Sequence, residues 1–160
     1  LYNVPGRTGC AISVENVERL SKHPNIRGIK EASGDMSYAM KIAHCAGPEF
    51  ALYSGNDDIT LPLMSIGGSG VISVFANICP DVCRQIVADY ANGNQARALE
   101  AHLKYLDLMN GLFMEVNPIP VKSAMNMMGL NAGPLRLPLC EMSREHQEAL
   151  RAMLEEAGLL

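Results

Sequence analysis

The chain of 160 residues has no apolar stretch long enough to cross a bilayer, and its N-terminus lacks the basic segment and apolar core of a secretory leader. Its thirteen Lys and Arg are scattered among seventeen Asp and Glu, for a net charge of −4, so the basic face that nucleic acid or an anionic membrane requires is missing. Neither partner is expected. The five cysteines, Cys10, Cys45, Cys79, Cys83 and Cys140, form an odd set without Cys-x-x-Cys spacing. Their neighbours are apolar, which suits buried thiols in a reducing compartment, and the expected location is the cytoplasm. Cys79 and Cys83 are four apart, but no histidine stands at ligand spacing from them, and no metal site is expected. A Gly-x-Gly-x-x-Gly fingerprint between a strand and a helix is also lacking; Gly67-Gly68-Ser69-Gly70 comes before a strand and reads as a helix-to-strand turn. There is no internal repeat and no low-complexity segment. A hydrophobic content of 48% then makes one folded unit with a real core the default.

What is present is an alternation of element types. Leu1 to Val4 reads as the end of a strand stopped by Pro5-Gly6, and because the chain starts inside it, the sequence is expected to be cut from something longer. Ser13 opens a helix with Val14, Val17 and Leu20 at helical spacing, closed by His23-Pro24. A strand over 26–32 follows, then a helix capped by Asp35 and running to about Ala46, a strand over 50–54, a helix over 57–66 and a strand over 71–74. From Pro80 onward only helices are expected, over 80–92, 94–112, 121–128 and 143–157. The second of these carries Leu99, Leu103, Leu106 and Met109 as its inward stripe, and Ser143 with His146 forms a weakened capping box in the last. Met125, Met127 and Met128 read as gap-filling core or interface residues. The expected fold class is therefore α/β, with four parallel strands and their helices over residues 1–79 and a helical region over 80–160. Four such strands are either half of an eight-stranded barrel or a small doubly wound sheet.

Lys30 is the residue with chemistry. Alternation sets Ile26, Gly28, Lys30 and Ala32 on one face of a strand and Arg27, Ile29 and Glu31 on the other, so the amine stands where an apolar side chain belongs. Gly28 is expected to leave a void on the same face for the lysine stem or a substrate. Two readings follow from the residues alone. One is a lysine that snorkels from a strand end to water; the other is a desolvated amine that loses its proton readily and attacks a carbonyl to form a Schiff base.

Three segments, Tyr2-Asn3-Val4-Pro5-Gly6-Arg7-Thr8, Gly28-Ile29-Lys30-Glu31-Ala32-Ser33-Gly34-Asp35 and Gly67-Gly68-Ser69-Gly70-Val71-Ile72-Ser73-Val74, resemble the C-terminal half of the dihydrodipicolinate synthase family. Tyr53-Ser54-Gly55-Asn56-Asp57-Asp58 and Asn117-Pro118-Ile119-Pro120-Val121-Lys122 resemble it at the corresponding places, so the likeness runs along essentially the whole chain. It implies the second half of a (β/α)8 barrel followed by a C-terminal helical region. It also implies a lyase of lysine and diaminopimelate biosynthesis that condenses pyruvate with L-aspartate semialdehyde to 4-hydroxy-tetrahydrodipicolinate. By that resemblance Lys30 forms the imine with pyruvate and Tyr2 relays protons. Arg7 holds the semialdehyde carboxylate, and Gly55 and Ile72 line the pocket through backbone atoms and close approach. No metal or organic cofactor is implied, because the lysine itself supplies the electrophilic activation. A homotetramer is the assembly the family implies. The family's Gly-Thr-Thr-Gly-Glu loop and a second relay tyrosine have no counterpart here, which removes much of the substrate's cradle. Two alternatives accompany this reading: N-acetylneuraminate lyase or a related pyruvate-dependent aldolase, which shares the lysine and the tyrosine, and a non-catalytic half-barrel fragment that only associates with other chains.

Overall fold

A computed structural model describes all residues, 1–160. The chain divides into two compact units, Leu1–Ser73 and Val74–Leu160, so the break comes a few residues before the expected 79/80 boundary.

The first unit is built on four parallel strands: β1 (Tyr2–Asn3), β2 (Gly28–Glu31), β3 (Ala51–Ser54) and β4 (Gly70–Val71). They lie side by side in chain order, β1-β2-β3-β4. That order has no reversal, and a doubly wound sheet needs one at its switch point. Between strands run α1 (Pro5–Thr8), α2 (Val14–Ser21), α3 (Met36–Ile42) and α4 (Thr60–Ser65). The caps follow the sequence signals. Ser13 Oγ accepts the Asn16 N–H at 3.3 Å to start α2, and Asp35 Oδ1 accepts the Tyr38 N–H at 3.0 Å to start α3. One face of the sheet is buried under these helices. Ile29 and Leu52 project from β2 and β3 into a core with Val17, Ala39, Ile42 and Leu63, all nearly without solvent contact. Each buried aliphatic side chain of this kind contributes about 1.5–3 kcal/mol. The other face carries Lys30 and its neighbours, so period-two alternation sorts core from chemistry within a single strand.

Gly28 does not leave the void expected of it. A Cβ built there would lie 2.5 Å from the Ala51 carbonyl oxygen, so the glycine is required by close approach of the β3 backbone.

The second unit is helical: α5 (Pro80–Ala91), α6 (Gln95–Lys104), α7 (Leu106–Gly111), α8 (Ile119–Met127) and α9 (Arg144–Glu156). The long helix expected over 94–112 is broken at Tyr105, whose φ of −106° and ψ of 6° leave the helical range. Ala98 and His102 are buried on α6, whereas Leu99 and Leu103 are 49% and 56% exposed, contrary to the stripe read from their spacing. The ring of Tyr105 instead packs on Phe75 with centroids 5.5 Å apart, and Phe75 is fully buried. At the start of α9, Ser143 Oγ accepts the His146 N–H at 3.4 Å, but the reciprocal half of the capping box comes from elsewhere. Glu115 Oε1 takes the Ser143 N–H at 3.0 Å, the Ser143 hydroxyl at 2.9 Å and His146 Nδ1 at 2.8 Å. Those hydrogen bonds hold the Glu115 carboxyl below the ordinary glutamate range, the one from His146 most strongly.

Candidate active site

The parallel ladder sets residues of neighbouring strands level with one another. Tyr2 on β1 is the partner of Lys30 on β2, and Lys30 is the partner of Tyr53 on β3. All three project from the sheet face opposite the Ile29–Leu52 core. Lys30 Nζ stands over the Tyr2 ring, 4.5 Å from its centroid, well within the range of a cation–π contact. Such a contact is worth about 0.5–1 kcal/mol where water still reaches it, as here, since Tyr2 is 47% exposed. The lysine is half-buried, so its stem is enclosed while its amine meets an aromatic face. A ring face that receives an ammonium suits an iminium of the same charge equally well.

Gly55, the residue after β3, is what gives the lysine stem its room. A Cβ on it would fall 3.0 Å from Lys30 Cε and 2.4 Å from Ala32 Cβ. The backbone is pinned there as well, with the Gly55 N–H donating to the Glu31 carbonyl at 2.6 Å. Gly55 and Lys30 are therefore in contact, as are Lys30 and Tyr2. Ile72 follows β4 directly, is 47% exposed, and has its N–H committed to the Ser54 carbonyl at 2.8 Å. Arg7 lies on the exposed turn α1 that leaves β1. Both belong to the carboxyl ends of their strands, the end at which parallel α/β enzymes carry their chemistry.

Two features of this face were not read from the sequence. Tyr53 is the first, and its family-like segment 53–58 assigns it no role. Applying the same alternation to Ala51-Leu52-Tyr53-Ser54 would have set it on the lysine's face, because Leu52 is the core residue. The second is a polar layer behind the lysine. Asn3 and Glu31 are 1% and 2% exposed and face the helices, and Asn3 Nδ2 donates to Glu31 Oε2 at 2.7 Å.

The sheet and its amine define a parallel α/β protein with a half-buried lysine beside a phenol at the carboxyl end of its strands. The model of the dihydrodipicolinate synthetase family matches residues 1–157, and the chain belongs to that family. Among curated relatives, 4-hydroxy-tetrahydrodipicolinate synthase of Clostridium perfringens is 49% identical over the whole chain, and that of Caldicellulosiruptor saccharolyticus is 51% identical over 99% of it. The chain spans 55% and 54% of their respective lengths, or about half of each. Among solved structures, the dihydrodipicolinate synthase of Acinetobacter baumannii complexed with pyruvate superposes with a TM-score of 0.95 at 41% identity, covering all of this chain and 55% of that one. No helix of the chain is long and apolar enough to cross a membrane.

Proposed function

We propose that the chain carries the imine-forming part of a lyase that condenses pyruvate with L-aspartate semialdehyde in lysine biosynthesis. The observation that carries this reading is the Lys30 amine held over the Tyr2 ring at 4.5 Å. The amine adds to the ketone carbon, water leaves, and the resulting iminium draws electrons from the adjacent methyl group, so that a methyl proton can be removed at neutral pH. The enamine so formed attacks the aldehyde carbon of the second substrate, and hydrolysis of the imine returns the amine. Tyr2, in contact with the reacting nitrogen, is the group placed to carry protons to and from it. Arg7 supplies a planar cation for the carboxylate of the semialdehyde, and Gly55 and Ile72 border the pocket.

The four strands, on the same proposal, are the second half of an eight-stranded barrel. Support comes from their uniform chain-order pairing and from the wholly helical run after Ser73. A barrel adds a strand at every step until it closes, so a long helical stretch suits the part that follows the last strand.

The half-length match favours one rival reading, an inert fragment. Both are tested by supplying the folded full chain with pyruvate and either aspartate semialdehyde or N-acetylmannosamine and following pyruvate loss. Consumption with the semialdehyde is expected. Turnover of the sugar alone would reassign the substrate, and a folded chain that consumes neither and forms no pyruvate adduct would be the inert fragment.

A further inference from the structure

The two catalytic candidates use one face of the sheet, and the residues that follow each of them meet on the other. Asn3 comes after Tyr2 and Glu31 after Lys30. Their side chains form a chain of bonds: Asn3 Nδ2 donates to Glu31 Oε2 at 2.7 Å, and Asn3 Oδ1 accepts the Ile12 N–H at 3.0 Å. Glu31 Oε1 accepts the Ser33 N–H at 2.7 Å, and beyond Ile12 the Tyr38 hydroxyl donates to the Ile12 carbonyl at 2.7 Å. Both Glu31 oxygens accept, the pattern of a carboxylate, yet no Lys, Arg or His lies within ion-pairing distance of it.

A buried carboxylate without a cation is expensive, and the same layer of the sheet is filled elsewhere by Ile29 and Leu52. Its partner suggests what it is for. Backbone bonds from the Lys30 N–H to the Leu1 carbonyl and from the Ala32 N–H to the Asn3 carbonyl, both 2.9 Å, join β1 to β2, and the Asn3–Glu31 bond adds a side-chain contact that this register alone allows. A slip of one residue would turn Tyr2 to the back face and take it away from the amine. We infer that Asn3 and Glu31 are a positioning pair: their side-chain bond fixes Tyr2 level with Lys30 and so holds the phenol under the amine. The geometric part stands on the hydrogen bonds alone; its consequence for rate rests on the reading of Lys30 as the imine-forming residue.

The pattern of donors makes the inference testable. Glu31→Gln must keep one oxygen on the Ser33 N–H, which turns its NH2 toward the NH2 of Asn3. Flipping Asn3 relieves that clash only by opposing the Ile12 N–H. The double variant Asn3→Asp with Glu31→Gln reverses the polarity of the pair and restores all three bonds, to each other, to the Ile12 N–H and to the Ser33 N–H, at the same net charge. Two readouts are taken on the folded full chain: the ring-current shift of the Lys30 ε-methylene signals, which requires Tyr2 beneath them, and the rate of borohydride-trapped adduct formation with pyruvate. Glu31→Gln should lose most of the shift and slow trapping by about tenfold, the scale of one opposed buried hydrogen bond. The swapped double variant should recover both. A role in stability alone would lower the melting temperature and leave the shift of the folded molecules untouched, which would overturn the inference. So would a folded double variant that lacks the shift, and this second variant decides the matter even where Glu31→Gln does not fold. If the wild-type chain traps no pyruvate while the shifts respond as described, the reading of Lys30 falls and the positioning pair stands.

Discussion

Each of the two units holds a glutamate that gathers several donors, and the two are used differently. Glu31 is nearly solvent-free in the sheet unit, and its two oxygens take one donor each, from Asn3 and Ser33. Glu115, in the helical unit, is in partial contact with water and gathers three donors from Ser143 and His146 on a single oxygen. The first lies behind the row of Tyr2, Lys30 and Tyr53 and ties one strand to the next. The second clasps the first turn of α9 and has no reactive neighbour. A buried acid marks the region where position matters to within a side-chain contact, whereas a surface acid with several donors marks where a helix begins.

The sharpest way to break this contrast is to disturb the reactive face without touching either glutamate. Gly55→Ala inserts a methyl group 3.0 Å from Lys30 Cε and 2.4 Å from Ala32 Cβ, so the lysine stem and the loop after β2 must move. Overpacking of this kind costs about 1–3 kcal/mol. Thermal unfolding should register the loss, and adduct formation with pyruvate should slow by a larger factor than the loss of folded chain explains.

A second change isolates the helical unit. The Glu115 carboxyl titrates below the ordinary value of 4.5, chiefly through its bond from His146 and then through the Ser143 N–H. In the window between its folded value and 4.5 the unfolded chain binds more protons, so the stabilisation is present above that window and is lost as pH falls through it. Denaturant titrations from pH 6 down to pH 3 should show that loss in the wild type, and Glu115→Gln should flatten it. The pyruvate adduct at neutral pH should be unaffected, because the bonds of Glu115 go to Ser143 and His146 within its own unit.

The smallest effect is expected at the outer end of the Asn3–Glu31 network. Burial, and then the nearby charge of Glu31, push the Tyr38 hydroxyl up to about 12. The folded chain therefore keeps this proton where the unfolded chain has already lost it, and stability declines as pH rises from 10 to about 12. Tyr38→Phe should reduce that alkaline slope. At neutral pH it should cost about 0.5–1.5 kcal/mol for the lost bond to the Ile12 carbonyl. An unchanged alkaline slope would show that the Tyr38 proton is not what the folded state holds.

Much of this arrangement was legible in the residues, and the limits have physical causes. Ser13, Asp35 and Ser143 were readable as caps because capping is local and acts over three residues. The split of β2 into a core face and a lysine face was readable because strand alternation is strict. The pairing of Tyr2 with Lys30 came from family resemblance, since register between strands is a long-range property. Asn3–Glu31 and Glu115–Ser143 each join residues 28 apart, and no local pattern announces such a bond. Gly28 was misread because a missing side chain leaves space only if nothing else approaches, and here the Ala51 carbonyl does. Leu99 and Leu103 lie outside because α6 buries the face of Ala98 and His102, one residue earlier in each turn, and spacing alone does not say which of two neighbouring stripes meets the core.

The claim on which the rest depends is that the Lys30 amine condenses with a keto acid, and mass mapping of the borohydride-reduced chain tests it directly. Peptides from wild-type chain treated with pyruvate should carry the reduced adduct at Lys30 and at none of the other lysines, and folded Lys30→Arg should carry none. An adduct spread over surface lysines, or a folded wild-type chain left unmodified, would contradict the account.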